Sequence, residues 1–442
     1  MKATHSSKRP AKKAPTVSHW TREQALSLRA NEANTFPEFD IEKIKPFMEG
    51  FDIWDSWFAL DENGELASIE GFRVLCALGL KKADERNIAR INYFYSKDGH
   101  SFVPGGLLFP RRLFSDIQEW SGSTLLRSDG SVQTFYTTAM GHTRNGIWQT
   151  LQRLATAIQR PIVNDGVLTF SEPQYHNLLL EPDGHFYQTV DQADDNEQRM
   201  PTQHNRSYGN DQVNNLCFRD PFFFRDPATQ KNYLLFEANT GPANDAEGTV
   251  RRDYIGSDNF DPNYRPTVDD LKANGCVGIA EFTDDQYTKL TMMAPLLTSN
   301  LVTDEIERIT VILRDGSYYL FCVTHGNKMT ILNDMLVNRD MLLGFKAPSL
   351  FGPYTPLNGS GVVIQQKSEG DMYAGQENNQ QYVYSWNVLP DLSVLSYANY
   401  SYSDVEGKPT STKTVGPRVQ LCIQGSHAVI TGLDYGYVLK SN

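Results

Sequence analysis

The chain has 442 residues, of which 40% are hydrophobic, 21% charged and 11% aromatic, the proportions of a soluble globular protein able to bury a large core. Its 41 Lys and Arg stand against 53 Asp and Glu, and the net charge of −12 disfavours nucleic acid and acidic lipid as partners and favours a neutral ligand. The five cysteines, Cys76, Cys217, Cys276, Cys322 and Cys422, are odd in number and contain no CxxC, which argues against a zinc site or a disulfide scaffold and leaves room for one bridge.

From the start of the chain, Lys2, Lys8, Arg9, Lys12 and Lys13 are followed by no apolar stretch, so residues 1–17 read as a disordered basic tail rather than a Sec-type signal. Thr21, with Gln24 three residues later, has the form of a capping box and predicts one short helix through Ala25, Leu26 and Leu28, serving as a lid or a packing arm. The most apolar stretch, Phe72 to Leu80, is too short to cross a bilayer.

Beyond the helix, short apolar and aromatic runs alternate with Gly, Asn, Asp and Pro, the punctuation of an all-β protein. Ile91 to Tyr95 runs into Lys97-Asp98-Gly99, and Tyr233 to Glu237 into Asn239-Thr240-Gly241. Val311 to Leu313 is joined through Arg314-Asp315-Gly316 to Tyr318 to Phe321, a hairpin in which Asp-Gly supplies the positive φ angles of a tight reversal. No repeat of fixed period is visible, so a propeller or barrel and a sandwich explain this pattern equally well. Residues 240–275, rich in Asp and poor in aliphatic side chains, read as a long loop crossing a rim. No low-complexity linker divides the chain, and residues 18–442 are expected to form one domain.

Three acidic segments carry candidate chemistry. Asp55 lies between Trp54 and Trp57, and strand alternation would set it on the face opposite Trp54; aromatic core with an Asp at a turn is the competing reading. Arg219-Asp220-Pro221 sets a cation beside an acid that could grip vicinal hydroxyls, yet Arg225-Asp226-Pro227 repeats the tripeptide nearby and shows how common it is. In Asp304-Glu305-Ile306-Glu307-Arg308, three acids within four positions would raise the pKa of at least one in a closed pocket, and would be a solvated turn otherwise. Cleaving a glycosidic bond requires acids on opposite sides of one sugar, and such segments supply them if the fold brings them together.

With their surroundings, these segments resemble the levansucrases and related β-fructofuranosyl enzymes of glycoside hydrolase family 68. Arg90 to Gly99, Glu119-Trp120-Ser121-Gly122-Ser123, Phe236 to Gly241, Gly352 to Asn358 and Asp434-Tyr435-Gly436-Tyr437 all resemble family segments in family order, and the likeness runs from about residue 18 to 438. The resemblance implies a five-bladed β-propeller with an acidic axial pocket, acting on sucrose with retention through a fructosyl-enzyme. It implies Asp55 as nucleophile, Asp220 as stabiliser of the fructosyl hydroxyls and Glu307 as general acid and later base, with the paired carboxyls about 5 Å apart. By the same resemblance Trp54 and Trp120 wall the fructosyl site, Ser121 orients Asp55, and Arg219, Glu305 and Arg308 hold substrate hydroxyls. Tyr384 falls near the general acid, and His325 at the subsite for glucose or acceptor, where a buried hydrogen-bonded histidine is the alternative.

The chain departs from the family pattern at Phe58 and at Val415-Gly416-Pro417-Arg418. Asp304 resembles a calcium ligand of some members, but Asn214 stands where an Asp is expected, so no metal and no cofactor are predicted. The implied partners are sucrose and fructan or oligosaccharide acceptors. The implied location is outside the cell by a leaderless route, with the cytoplasm as alternative. The preferred activity is fructosyl transfer to levan, fructo-oligosaccharide or water; an invertase-like hydrolase is the nearest rival. A non-catalytic carbohydrate-binding propeller and a purely structural interaction propeller are the readings of another class.

Overall fold

The computed structural model describes residues 17–82, 88–114, 117–201, 216–243, 251–331, 334–368 and 380–439. The basic tail expected over residues 1–17 lies, apart from Val17, outside them. The protein is mostly β, and its strands fall into five successive four-stranded antiparallel units. The first consists of Phe51–Asp61, Arg73–Lys81, Arg90–Ser96 and Ser101–Leu107. The second consists of Gln118–Leu126, Val132–Arg144, Ile147–Gln159 and Tyr175–Leu180. Phe218–Arg225, Asn232–Asn239, Gly275–Phe282 and Leu290–Thr298 make the third. Glu307–Arg314, Ser317–His325, Arg339–Ala347 and Val362–Lys367 make the fourth, and Val383–Val388, Ser393–Ala398, Arg418–Gln424 and His427–Asp434 the fifth.

The leading strand of each unit touches that of the next, and the fifth returns to the first. The apolar core follows the same cycle. Trp57, Cys76 and Tyr136 pack between units one and two. Phe135, Phe223 and Leu234 pack between two and three, and Leu235, Ile309 and Leu343 between three and four. Phe321, Leu342 and Trp386 fill the fourth junction, and Phe58, Leu75 and Leu395 join the fifth unit to the first. A sheet with both faces covered needs apolar residues on both, which is why these strands read as nearly continuous aliphatic and aromatic runs instead of alternating ones.

The capping box forms as expected: Thr21 Oγ1 accepts the Gln24 N–H, the Gln24 side chain returns to the Thr21 N–H, and the helix is Arg22–Leu26. It is a packing arm. Ala25 and Leu28 enter the core between units three and four, and Trp20, fully buried, donates from Nε1 to the Ser360 carbonyl at 2.8 Å. The Asp-Gly reversal is present too, with Asp315 at φ 49° and Gly316 at φ 69° between paired Arg314 and Ser317. Among the described residues of 240–275, expected as a long loop, are two short helices, Arg252–Ile255 and Val268–Lys272. All five cysteines are unbridged, and among the described residues no helix is long and apolar enough to cross a membrane.

Every leading strand breaks register with its neighbour near its start. The shifts fall between Trp54 and Ser56, Trp120 and Gly122, Arg219 and Phe222, Glu307 and Thr310, and Tyr384 and Asn387. Four of the bulged residues have positive φ: Asp55 (32°), Asp220 (56°), Arg308 (55°) and Ser385 (58°). Non-glycine residues seldom adopt this region, and a bulge of this kind re-aims the side chain out of the regular alternation.

In the second unit the bulge depends on Gly122, where an added Cβ would lie 1.9 Å from the Phe135 carbonyl oxygen. Overpacking of this sort costs about 1–3 kcal/mol. Gly122→Ala is expected to lower the thermal unfolding midpoint by several degrees, measured by calorimetry; an unchanged midpoint would show that the bulge tolerates the methyl group.

Candidate active site

The leading strands of the first four units bring side chains to one cavity of about 290 Å³, at the lower end of the range of about 300–1,000 Å³ usual for small-ligand sites. Asp55, Asp220 and Glu307, from three different units, all line it, together with Trp54, Trp120, Ser121, Arg219, Glu305 and His325. Lys328, which no sequence motif indicated, lines it as well. The expectation that Asp55 faces away from Trp54 is corrected: the bulge at Asp55 breaks the alternation, so neighbouring residues meet the same space.

Arg219 organises the acids. Its Nε lies 2.7 Å from Glu237 Oε2, and its Nη2 donates to Glu305 Oε2 at 3.2 Å and to Glu307 Oε1 at 2.7 Å. Arg219 was expected to hold Asp220, its neighbour in sequence; its guanidinium is committed to the three glutamates instead. Asp220 is held otherwise. Ser121 Oγ donates to its Oδ1 at 2.5 Å, and the Arg308 backbone N–H donates to its Oδ2 at 3.1 Å. The expected pairing of Ser121 with Asp55 is therefore corrected to Ser121 with Asp220.

Arg308 is buried, lines no part of this cavity, and donates from Nη2 to the Ser56 carbonyl at 2.6 Å. Its expected grip on a substrate hydroxyl gives way to an electrostatic effect on Asp55. Burial pushes the Asp55 carboxyl above its ordinary range; the Arg308 guanidinium opposes this, Asp220 adds to it, and the Ser385 hydroxyl opposes it again.

Glu307 is the carboxyl tuned to keep a proton. Burial and then the neighbouring Glu305 push it up to about 7, against the pull of Arg219 and His325. Burial acts on Glu305 in the same sense, but Lys328, His325 and Arg219 outweigh it and hold Glu305 below the ordinary carboxylate range. Burial also raises Glu237, yet its oxygens face the Ile306 N–H at 3.0 Å and Arg219 Nε, donors that cannot reverse. Glu307 Oε2 instead meets the Tyr384 hydroxyl at 2.7 Å, which donates to a carboxylate and can accept from a carboxylic acid. Of the two raised glutamates on Arg219, Glu307 is thus the one that can exchange its proton without losing its partners.

Tyr384 lies behind Glu307, and its ring stacks on His325 with centroids 3.9 Å apart and planes at 18°. One donor atom from each of Glu305, Glu307 and His325 lies within 4.8 Å of the others. The second Arg-Asp-Pro tripeptide takes no part. Asp226 accepts the Ala228 N–H, the Thr229 hydroxyl and the Tyr318 hydroxyl, which makes it a turn residue. The carbonyl of Asp304, weighed as a calcium ligand residue, accepts from Asn239 Nδ2 at 2.9 Å, and Asn214 lies outside the described residues.

Sequence reasoning missed Glu237, Lys328 and Ser385. Ser385 follows Tyr384 as Asp55 follows Trp54 and Asp220 follows Arg219, so the doublet at the start of each leading strand is the signal that would have found it. Glu237 is set directly opposite Arg219 in the strand register, which only pairing reveals.

The chain is 31% identical over 440 residues to an extracellular sucrase of Zymomonas mobilis, covering 96% of both chains. It is 32% identical over 460 residues to a levansucrase of Bacillus amyloliquefaciens, covering 96% of this chain and 90% of the relative. Among solved structures, a substituted Bacillus subtilis levansucrase in complex with oligosaccharides superposes with a TM-score of 0.78 at 28% identity, covering 98% of this chain and all of the other. Residues 10–439 match the family model described as Levansucrase/Invertase, and the chain belongs to that family, glycoside hydrolase family 68.

Proposed function

We propose that this protein cleaves sucrose and transfers the fructosyl group to a growing fructan, a fructo-oligosaccharide or water, with retention through a covalent fructosyl-enzyme. The observation that carries this is the convergence of Asp55, Asp220 and Glu307 in one cavity, where burial and Glu305 push Glu307 up to about 7 and Arg308 opposes the upward shift that burial imposes on Asp55. In the first step Glu307 protonates the oxygen leaving with glucose while Asp55 attacks the anomeric carbon. In the second, Glu307 takes the proton of the incoming hydroxyl as the fructosyl–Asp55 bond breaks. Asp220, fixed by Ser121 and the Arg308 N–H, would grip the fructosyl hydroxyls, and Trp54 and Trp120 would wall the ring. Arg219 and Glu305 would hold further hydroxyls. His325 would serve the glucose or acceptor subsite.

We further propose that the five units form a five-bladed propeller, supported by the cyclic contact of leading strands, and that residues 18–442 act as one catalytic unit. The chemistry calls on no cofactor. Because the similar Zymomonas mobilis protein is an extracellular sucrase, we propose that this chain also works outside the cell.

Incubation with sucrose should release free glucose in excess of free fructose at high sucrose, the difference appearing as sized fructan or oligosaccharide. Equal amounts would favour hydrolysis, and sucrose binding without glucose release would favour a non-catalytic propeller. Glu307→Gln should lower turnover by about 10²–10⁴-fold without loss of fold, since that is the usual contribution of proton transfer; wild-type turnover would remove Glu307 from the mechanism.

Tyr384→Phe keeps the ring stacked on His325 but removes the hydroxyl. A charge-assisted hydrogen bond is the stronger of the two that this hydroxyl can make, so the ionised form of Glu307 loses more and its pKa rises above about 7. The basic limb of kcat/KM should move to higher pH in this variant, with the acid limb unmoved. A basic limb that stays in place would exclude Tyr384 from tuning the acid.

A further inference from the structure

His325 and Asp340 stand directly opposite one another in the register between Ser317–His325 and Arg339–Ala347. Asp340 is 1% exposed, and no motif indicated it. Its Oδ1 lies 3.0 Å from His325 Nδ1 and 3.3 Å from the Gly326 N–H, and its Oδ2 accepts the Tyr382 hydroxyl at 2.7 Å. The far face of the same imidazole stacks on Tyr384, whose hydroxyl reaches Glu307. Tyr382, just before the strand Val383–Val388, and Tyr384, within it, have rings 6.4 Å apart and planes at 17°. A buried carboxylate, an imidazole, a phenol and the general acid thus form one continuous packed chain.

We propose that Asp340 is a positioning residue for fructosyl transfer: it fixes a proton on His325 Nδ1, so that Nε2 presents a cationic N–H to the leaving glucosyl or incoming acceptor hydroxyl beside Glu307. The proposal rests on the fructosyl-transfer reading above. Asp340 cannot touch substrate; it acts through the ring. The charged groups facing His325 are Asp340 on one side and Glu305 and Glu307 on the cavity side. Lys328 lies 4.0 Å from Glu305, and Arg219 is bound to both glutamates. Burial opposes a charged imidazole, but Asp340, then Glu305 and Glu307, outweigh it, so His325 holds its proton more tightly than a free histidine. The cation in turn favours the ionised form of Glu307, the form required when an acceptor hydroxyl must give up its proton. An acceptor sugar, which binds through hydroxyls, should depend on this donor more than water does.

The test uses the whole chain with labelled histidine, the His325 resonance being assigned by its loss in His325→Gln. In Asp340→Asn the imidazole midpoint should fall by about one pH unit or more, and the ratio of transfer to hydrolysis on sucrose should fall severalfold. Asp340→Glu should restore much of both. Tyr382→Phe, which takes only a donor from Asp340 and leaves its charge less shared, should move the midpoint upward. In a His325→Gln background, Asp340→Asn should change the transfer ratio no further. An unmoved midpoint in folded Asp340→Asn, or an unmoved midpoint in Tyr382→Phe should Asp340→Asn fail to fold, would overturn the proposal. If the parent protein does not cleave sucrose, the functional reading fails, while the imidazole titration still decides the role of Asp340.

Discussion

One guanidinium set among three carboxylates is the constraint on which this site depends. Arg219 lies within 3.2 Å of Glu237, Glu305 and Glu307, and a planar fork with donors on two sides can do this where the single ammonium of a lysine cannot. The wider cavity sets Asp55, Asp220, Glu237, Glu305 and Glu307 against Arg219, Arg308, Lys328 and His325. Even with the imidazole charged, these five acids, with Asp340 behind the imidazole, outnumber the four cations. Burying the surplus negative charge is unfavourable, so one acid retains a proton. Of the raised glutamates on Arg219, Glu307, whose tyrosine partner can reverse its hydrogen bond, is the one able to do so. A carboxyl that keeps its proton thus follows from the charge balance of the whole cluster and from no single neighbour.

The second constraint is geometric. Side chains of regular strands alternate between faces, and a unit covered on both faces would send half of its residues into each packed layer. A bulge near the start of every leading strand breaks that alternation; Asp55, Ser121 and Asp220 at three of the bulges line the shared cavity, and four of the bulged residues adopt positive φ. Such conformations persist only where the surroundings enforce them. Here the enforcement comes from the apolar layers between units, and from contacts such as the Phe135 carbonyl against Gly122. Acids from distant stretches of chain are thereby held on strands rather than on loops.

Much of this was legible in the sequence. The β punctuation, the Thr21–Gln24 cap and the Asp315–Gly316 turn depend on local chemistry, which a sequence displays directly. The resemblance to family 68 supplied the acids, and the cavity gathers them. What escaped was pairing. Whether Arg219 serves Asp220 or the three glutamates, and whether Ser121 serves Asp55 or Asp220, depends on which strand lies beside which and on where the register slips. Asp340 escaped for the same reason, since its partner His325 is defined by a cross-strand position. The five units were expected from the resemblance alone and not from any repeat, because they share a fold and a bulge but no common residue pattern, as Trp54-Asp55, Trp120-Ser121, Arg219-Asp220, Glu307-Arg308 and Tyr384-Ser385 show.

The claim that the charge balance leaves a proton on Glu307 can be read without any substrate. Titration of the side-chain carboxyl carbons in a protein labelled at glutamate, followed by NMR in the parent and in Glu307→Gln, should reveal one resonance with a midpoint near 7 that is missing from the variant. If every glutamate resolved in the parent titrates in the ordinary carboxylate range, or if the resonance near 7 survives the substitution, the account of the site is contradicted.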